Sequence, residues 1–496
     1  MIASLRAYVG RHFEYSLGGA VGAGVLRALR PPCYRGSAGR TPFGRRSRVV
    51  GRWQVETRPR VDAGPELLLG EARAGKLVLG GVPAQRLAAE FGTPLYVLDE
   101  DRVRERCRAY IRALHRHYPH GQVVYASKAF CCMAMCRLAH EEGLYLDVVS
   151  SGELATALRA GVPPAHLLVH GNNKTAGEIR DALRAGVGRI VVDNFYDLEL
   201  LEALTRETGG SADVLLRLTP GIEPHTHEAI RTGGVDSKFG FGILGGTARE
   251  AVGRSREIPT LRLRGIHCHI GSQILDRAPF VQAAEAMMEF AAWMARDQGI
   301  ALEDLDLGGG AGVRYLPDDP VLEIDEVIGA VADVVRQRAR AAGLPLPRLL
   351  IEPGRSIVGD AGATLYTVGS IKSIPGIRTY VAVDGGMYEN PRPALYQARY
   401  HSVLADRLDE APAATVTIAG RCCESGDVLI RDARLPAPRP GDLLAVFSTG
   451  AYNYSMAGNY NRYPRPAVVF VGGGRARLAV VRETVDDVLA RDVPPA

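Results

Sequence analysis

Short apolar runs recur along the middle of the chain, and each run ends in polar residues or glycine. They are rich in β-branched and aliphatic residues and too short for helices, so they predict buried strands. The eight runs are VVYASKA from residue 123, LYLDVVS from 144, LLVHGNN from 167, RIVVDN from 189, DVLLRLTP from 213, LRGIHCHIGS from 263, LEDLDLGGG from 302 and RLLIEPGR from 348.

The segments between these runs have helical periodicity. SGELATALRAG (151–161) opens with a possible capping box from Ser150 to Glu153, and TAGEIRDALRAG (175–186) ends at a glycine. Strands that alternate with helices predict parallel pairing, and eight such units fit a closed (β/α)8 TIM-type barrel of about 250 residues. An open doubly wound sheet is the alternative, but no dinucleotide-binding glycine motif follows an early strand. We therefore predict the barrel.

The pattern changes after about residue 360, where short β runs are separated by Pro, Gly and Asp. This pattern predicts a C-terminal all-β domain of barrel or sandwich type. The segment PLYVLDE (94–100) is expected to supply a strand to that domain. The predicted divisions are an N-terminal extension (1–75), a joining strand region (76–100), the barrel (101–357) and the β-domain (358–496).

The composition is typical of a globular protein, with 46% hydrophobic and 23% charged residues among 496. No uninterrupted run of eighteen apolar residues occurs, so no membrane-spanning helix is predicted. The eight cysteines form no zinc-type CxxC pair, and Cys131, Cys132 and Cys136 are predicted to share one helix. A disulfide framework is not expected in a chain of this length, which favours the cytoplasm.

The first 60 residues hold twelve Arg but only Glu14 and Glu56 as acidic residues. Transit peptides have this composition, but no helical face runs through the segment. We therefore expect a disordered extension, or a start codon assigned too early, without a catalytic role. The remainder of the chain is net acidic, which argues against a nucleic-acid surface on its main body.

Residues suited to chemistry occur where the predicted strands end, which is the catalytic face of such barrels. They are Lys128 after the first run, Asp147 within the second, His269, Gly271 and Ser272 after the sixth, Gly308, Gly309 and Gly310 after the seventh, and Glu352, Gly354 and Arg355 after the eighth. Glycine N–H groups beside a serine hydroxyl predict a phosphate cradle, although glycine runs also serve tight turns. A lysine beside such a cradle predicts a Schiff base with pyridoxal phosphate, whose ring nitrogen an acid on the eighth strand would bind.

From about residue 76 to 490, the chain resembles the diaminopimelate decarboxylases, which are fold-type III pyridoxal-phosphate enzymes with alanine racemase-like barrels. The motifs that carry the resemblance are YASKAF, GNNK, HTHE with KFG, HCHIGSQ, LDLGGGAG, EPGRSI, DGGMYENPRPALY, CCESGD and TGAYNYSMAGNYN. The resemblance implies that Lys128 is the Schiff-base lysine, that His269 stacks on the cofactor ring and that Glu352 pairs with its nitrogen. Further cofactor contacts are implied for Asp147, Ser272, Gly309, Gly310, Gly354, Arg355 and Tyr452.

The proton donor implied by the resemblance is Cys423, which comes from the other subunit of a homodimer with shared active sites. Cys422 departs from the histidine of some relatives, and the alignment of CESGD assigns the role to Cys423. A buried apolar cysteine is the simpler alternative for both residues.

Charged residues outside the cofactor site indicate the substrate class. Arg355 and Arg392 suit a carboxylate, and Tyr396 and Tyr452 can add contacts. Glu424 can hold an ammonium group. A ligand that uses all of these has a second amino-acid head group. The predicted reaction is therefore decarboxylation of meso-diaminopimelate to L-lysine, the last step of lysine biosynthesis.

Two other functions stay open, namely decarboxylation of another amino acid or carrier-bound aminoacyl group, and a non-catalytic homologue. The presence of Lys128, Glu352 and Cys423 argues against the homologue. His225 and His227 have a spacing compatible with a metal, but no further ligand cluster accompanies them, so no metal is predicted. The tyrosines between 452 and 463 lack the interleaved basic residues of a nucleic-acid platform.

Overall fold

The computed structural model describes residues 66–222, 234 and 236–495, so the HTHE motif (225–228) lies outside the described residues. The first elements are β1 (Glu71–Arg73), β2 (Lys76–Leu79), β3 (Val82–Pro83), α1 (Ala84–Phe91), β4 (Leu95–Asp99) and α2 (Glu100–His117). β1 pairs antiparallel with β2, and Leu69 is buried in an apolar cluster. The extension predicted for residues 1–75 therefore reaches too far, because pairing and burial order its last part.

Eight parallel strands close into the predicted barrel, which excludes the open doubly wound sheet. They are β5 (Gly121–Ala126), β6 (Tyr145–Val148), β7 (Leu167–Val169), β8 (Arg189–Val192), β9 (Ala212–Thr219), β11 (Leu261–Cys268), β12 (Asp304–Asp306) and β13 (Arg348–Ile351), with the short β10 (Phe241–Gly242) beside β9. The barrel closes because β13 pairs with β5 and β8 pairs with β9.

Helices connect the strands of the barrel. They are α3 (Met133–Glu141), α4 (Ser151–Arg159), α5 (Ala176–Ala185), α6 (Phe195–Thr208), α7 (Thr247–Glu257), α8 (Ala278–Gln298) and α9 (Ile324–Ala342). The capping box predicted at α4 forms only in part. Ser150 accepts the N–H of Glu153, but the Glu153 carboxylate accepts from Val149 instead of Ser150. The predicted cysteine helix is also corrected, because α3 includes Cys136 and begins after Cys132.

Side chains alternate between the two faces of the barrel wall. On β5, Val123 and Tyr125 pack in the outer layer against the helices, whereas Val124 joins a separate inner cluster. The period of two in a strand causes this alternation. Asp147 on β6 lies between two outward-facing residues, so its carboxylate points into the barrel.

The short helix α10 (Arg355–Val358) leads from β13 into the C-terminal region. Its elements are β14 (Gly362–Ile374), β15 (Arg378–Val383), α11 (Arg392–Tyr396), β16 (Ser402–Leu404), β17 (Ala414–Ala419), β18 (Val428–Leu435), β19 (Leu443–Phe447), β20 (Ala467–Gly472), β21 (Arg475–Val480) and α12 (Val485–Leu489). β4 lies within this mixed sheet, between β14 and β20. Among the described residues, no helix combines the length and apolarity needed to cross a membrane.

Candidate active site

Lys128 lies in a single 3₁₀ turn directly after β5, and its amine contacts a buried acid. Lys128 Nζ is 2.6 Å from Asp147 Oδ2, and Asp147 is fully buried. Burial opposes the charge on Lys128, but Asp147, Tyr452 and Glu352 together raise the pKa of the amine. About a third of the lysine side chain remains exposed, at 37%. The amine is therefore both paired and accessible at the mouth of the barrel.

Glu352 follows β13 and is held between two histidines. Its Oε1 lies 2.9 Å from His170 Nε2, and its Oε2 lies 3.3 Å from His267 Nε2. Burial would raise the pKa of Glu352, but the contacts with His170 and His267 hold it well below its usual value. Burial lowers the pKa of His267 to about 4. His170, His267 and Glu352 each offer one atom that could bind a metal, and these three atoms lie within 4.8 Å of one another. Metal sites have the same spacing.

Asp306, at the end of β12, is the third acid of this region. Its pKa is raised well above the usual value, first by burial and then by the nearby charge of Glu352. Its Oδ1 accepts the N–H of Gly308 at 2.9 Å. Burial and the charge of Glu352 therefore favour the protonated form of Asp306.

His269 accepts a hydrogen bond from the glycine triplet. The N–H of Gly309 donates to His269 Nδ1 at 3.3 Å, which assigns the proton of the neutral ring to Nε2. Burial, followed by the charges of Lys128 and Arg217, lowers the pKa of His269 well below its usual value. A Cβ on Gly309 would lie 2.0 Å from the Glu352 carbonyl oxygen, so only glycine fits there.

Arg355 begins α10 and contacts the serine of the predicted cradle. Its Nε and Nη2 donate to Ser272 Oγ at 3.2 Å and 3.0 Å. A Cβ on Gly354 would lie 3.0 Å from the Ala126 Cβ, so this glycine allows the turn to pack against β5. Gly310 has a φ of +127°, and an added Cβ would lie 2.7 Å from the Gly271 carbonyl oxygen.

Tyr452 joins the C-terminal region to the barrel mouth. Its N–H donates to the carbonyl oxygen of Ala129 at 2.8 Å, one residue after Lys128. The Cζ atom of Arg355 lies 4.6 Å from the centre of the Tyr452 ring. The structure thus brings Lys128, Arg355 and Tyr452 together, as the sequence predicts.

Arg392 and Tyr396 lie on α11, at opposite ends of one short helix. Arg392 is buried, and its Nη1 donates to the hydroxyl groups of Tyr315 and Tyr400, each at 2.8 Å. Tyr396 is half-buried. Arg355 Nη1 also donates to the Tyr315 hydroxyl, so Tyr315 connects Arg392 to the barrel mouth.

Cys423 and Glu424 lie in the exposed loop between β17 and β18. The N–H of Cys423 donates to Asn461 Oδ1 at 2.8 Å. Cys422 is buried, and burial together with Asp427 raises the pKa of its thiol to about 12. Within the described part of one chain, the hydrogen bonds of the Cys423 loop do not reach Lys128.

The barrel mouth has the donors and acceptors that pyridoxal phosphate requires. It offers an accessible amine on Lys128, an ionised acid on Glu352 and a neutral imidazole on His269. Glycines that admit no Cβ lie beside the Ser272 hydroxyl. These residues fit the cofactor that the sequence predicts.

Sequence reasoning missed four residues of this region, namely His170, His267, Asp306 and Tyr315. His170 directly follows the third predicted strand, so the strand-end rule would have found it. His267 lies between Ile266 and Cys268, which pack outward, and the period of two would have pointed it inward. No local pattern marks Tyr315, which lies in an irregular loop after β12.

Comparison with known proteins gives concordant results. Residues 100–359 match the family model described as the pyridoxal-binding domain of pyridoxal-dependent decarboxylases. The chain is 54% identical over 420 residues to a diaminopimelate decarboxylase of Bacillus subtilis (strain 168), which covers 85% of this chain and 96% of that protein.

Solved structures show the same architecture. Diaminopimelate decarboxylase from M. jannaschii in complex with L-lysine superposes with a TM-score of 0.80 at 36% identity, covering 86% of this chain and 98% of that one. A lysine/ornithine decarboxylase from Vibrio vulnificus in complex with putrescine gives a TM-score of 0.66 at 25% identity, covering 78% and 96%.

Proposed function

The chain belongs to the diaminopimelate decarboxylases, a family of pyridoxal-dependent enzymes, and we propose that the residues at its barrel mouth carry out the family's reaction. Carbon dioxide is released from meso-diaminopimelate, L-lysine is formed and pyridoxal 5′-phosphate is the cofactor. The observation that supports this assignment of residues is the placement of two acids. Asp147 lies 2.6 Å from Lys128 Nζ, and Glu352 is kept ionised between His170 and His267.

Each residue at the barrel mouth has a role that follows from its charge and its contacts. Bound pyridoxal phosphate supplies a sink for the electron pair left behind when the carboxyl group departs. Glu352 would bind the ring nitrogen and, being ionised, keep it protonated. Asp147 Oδ2 would orient the amine of Lys128, the group that bonds covalently to the cofactor. Neutral His269 presents an uncharged ring face for stacking.

The remaining cofactor contacts would hold the phosphate group. Ser272 offers its hydroxyl, and Gly310, Gly354 and Arg355 lie in the turns beside it. The N–H of Gly309 already donates to His269, so we assign Gly309 the role of orienting that ring. A helix N-terminus at Arg355 adds further N–H groups to this side of the mouth.

The substrate's second head group would lie at Arg355 and Arg392. Both are buried, and a distal carboxylate would pair with them. Tyr396 on the same short helix would add a hydroxyl contact and Tyr452 would border the ligand. Lysine or ornithine bound through its α-amino group lacks the distal carboxylate, so it would leave the two arginines without this anionic partner.

We assign the final proton transfer to Cys423 of the partner subunit in a homodimer. Two observations support this. Cys423 and Glu424 are exposed in one chain, and their loop contacts Asn461 rather than the barrel mouth. A donor thiol must reach the substrate carbon. A second copy would bring Cys423 to the mouth and Glu424 to the substrate ammonium group.

The division into extension, joining region, barrel and β-domain stays our proposal for how the chain is organised, with the extension ending before the buried Leu69. We also propose a cytoplasmic location, which is supported by the cysteines of the described residues. All seven are free thiols, as expected in a reducing compartment.

The deciding experiment supplies the purified protein and pyridoxal phosphate with meso-diaminopimelate, L-lysine or L-ornithine, and measures carbon dioxide and amine products. We expect turnover of meso-diaminopimelate to L-lysine. Arg392→Lys keeps the charge but loses the planar fork, so its KM is expected to rise. The matched control is Arg399→Lys, at an exposed position of the same segment. Faster release of carbon dioxide from lysine or ornithine would contradict the proposed substrate.

A further inference from the structure

The phenolic oxygen of Tyr315 lies between two buried guanidinium groups. It accepts one hydrogen bond from Arg355 Nη1 and a second, of 2.8 Å, from Arg392 Nη1. Tyr315 comes from the loop after β12, Arg355 begins α10 and Arg392 begins α11. All three side chains are less than a tenth exposed. Three separate segments of the chain therefore meet at one oxygen atom.

Within the described residues, the guanidiniums of Arg355 and Arg392 donate hydrogen bonds to hydroxyl groups rather than to carboxylates. They are the hydroxyls of Ser272, Tyr315 and Tyr400. Two like charges in one buried place are costly unless an anion or several acceptors compensate them. Tyr315 is the acceptor that both share, so it holds the two cations at one site.

The contacts also leave one N–H group of Arg392 without a partner in the described part of the chain. Nη1 is shared by Tyr315 and Tyr400. Nε is buried and has no hydrogen-bond partner in the described part of the chain. A guanidinium binds a carboxylate best through two neighbouring N–H groups. The two tyrosines therefore orient the guanidinium so that the N–H group of Nε can donate to a carboxylate.

The electrostatic environments of the two tyrosines differ. For Tyr315, burial opposes ionisation, yet the charges of Arg355 and Arg392 outweigh it and lower the pKa below the usual 10.0. For Tyr400, burial dominates and raises the pKa to about 12. The side chain of Tyr315 thus faces Arg355, Arg392 and Tyr400. Asp319 and His401 form hydrogen bonds with the main chain of Tyr315, through its N–H and its carbonyl oxygen.

We propose that Tyr315 is a specificity-determining positioning residue, which holds Arg355 and Arg392 together for the distal carboxylate of the substrate and weakens that binding when its phenol ionises. This inference rests on the proposed function, since it takes meso-diaminopimelate as the ligand of the arginines. While the phenol keeps its proton, both arginines present their full charge to the carboxylate. Once the phenol is anionic, it competes with the carboxylate for the same two cations.

The first test measures kcat and KM for meso-diaminopimelate between about pH 7.5 and about pH 10 in wild type, Tyr315→Phe and Tyr400→Phe. At the lower pH, Tyr315→Phe is expected to raise KM roughly tenfold while kcat changes little, because only substrate binding is affected. The wild-type KM should rise towards pH 10. The KM of Tyr315→Phe should stay flat, and that of the control Tyr400→Phe should rise as in wild type. An unchanged KM in Tyr315→Phe, or an alkaline rise parallel to wild type, would overturn the inference.

A second variant and a substrate-free measurement keep the inference decidable. Tyr315→Gln retains an oxygen acceptor that cannot ionise, so its KM should also be independent of pH. Absorbance at about 295 nm reports tyrosinate, and wild type minus Tyr315→Phe should show one phenol ionising below about pH 10. If that difference is absent, the inference is wrong whichever substrate the enzyme uses. If wild type fails to release carbon dioxide from meso-diaminopimelate, the proposed function fails, and this titration still decides whether the phenol of Tyr315 ionises between the two arginines.

Discussion

His170 Nε2 lies 2.9 Å from Glu352 Oε1, and this contact joins the third strand of the barrel to the eighth. In the sheet, β5 and β6 separate β13 from β7, so the two side chains meet across the barrel mouth. Lys128 and Asp147 come from those two intervening strands. Glu352 follows the strand next to β5, so its ionised carboxylate and the Lys128 amine lie at the ends of neighbouring strands.

We predict that His170→Phe lowers kcat/KM roughly tenfold to a hundredfold, because a polar contact to a buried charged group contributes about 1.5–3 kcal/mol. Glu352 would lose one of the two contacts that keep its pKa low. The loss should therefore be larger at about pH 6 than at about pH 8, because protonation of Glu352 increases as the pH falls. The pH profile of kcat/KM checks this.

The control is His166→Phe, at the opposite end of the same strand. The His166 ring stacks on the Tyr145 ring, with 4.1 Å between the ring centres. We expect the control to change stability more than the pH profile. An equal loss at both pH values in His170→Phe would contradict a role in holding the charge of Glu352.

The sequence predicted the barrel and the position of Lys128 for the same reason. Strand ends of parallel barrels gather at one face, so order along the chain gives proximity at the mouth. The contact between His170 and Glu352 could not be predicted from the order of the strands, because it depends on the distance across the barrel. Tyr315 was missed because an irregular loop has no periodicity. Cys423 was assigned through the resemblance, since no contact in the described part of its own chain places it near Lys128.

We predict that a chain beginning at Glu66 folds and retains activity, whereas one beginning at Lys76 loses stability. Residues 66–75 include Leu69, which is buried, and β1, which pairs with β2. The carbonyl oxygen of Glu66 lies 2.8 Å from His401 Nε2. Removing a buried leucine alone costs about 2–5 kcal/mol. Thermal unfolding and activity of the two truncated proteins check this, and equal stability would contradict it.

Glu389 makes stability depend on pH. Its carboxylate is fully buried and accepts hydrogen bonds from Tyr96 at 2.8 Å and Tyr366 at 2.7 Å. Burial raises the pKa of Glu389 from 4.5 to about 7. Between these values the folded chain keeps a proton that the unfolded chain releases. This contribution to stability is complete below about pH 4.5 and is lost as the pH rises towards 7.

We therefore predict that Glu389→Gln removes a decrease in unfolding free energy of up to about 3 kcal/mol between pH 4.5 and pH 7. Urea unfolding of wild type and variant at several pH values measures the difference. Glu326→Gln, at an exposed position, is the control and should follow wild type. A variant whose stability falls with pH as steeply as that of wild type would show that Glu389 does not titrate in this range.

The proposal that two subunits share their active sites gives the last prediction. Lys128→Ala removes the amine at the barrel mouth, and Cys423→Ala removes the proposed proton donor, so each variant alone is expected to be inactive. If Cys423 serves the partner subunit, a mixed dimer has one site with both changes and one site with neither. At equal mixing and free exchange, about half the dimers are mixed, so about a quarter of wild-type activity should return.

The matched control mixes Lys128→Ala with Glu352→Ala, whose residues lie at the mouth of one barrel. Every site of that mixed dimer carries one change, so no activity should return. Cys422→Ala, assayed alone, tests the neighbouring thiol. Cys422 is buried and its thiol pKa is raised to about 12, so we expect Cys422→Ala to remain active alone. Subunit exchange is followed by labels of two masses. If subunits exchange and the Lys128→Ala and Cys423→Ala mixture stays inactive, Cys423 serves the site of its own chain or is not the donor.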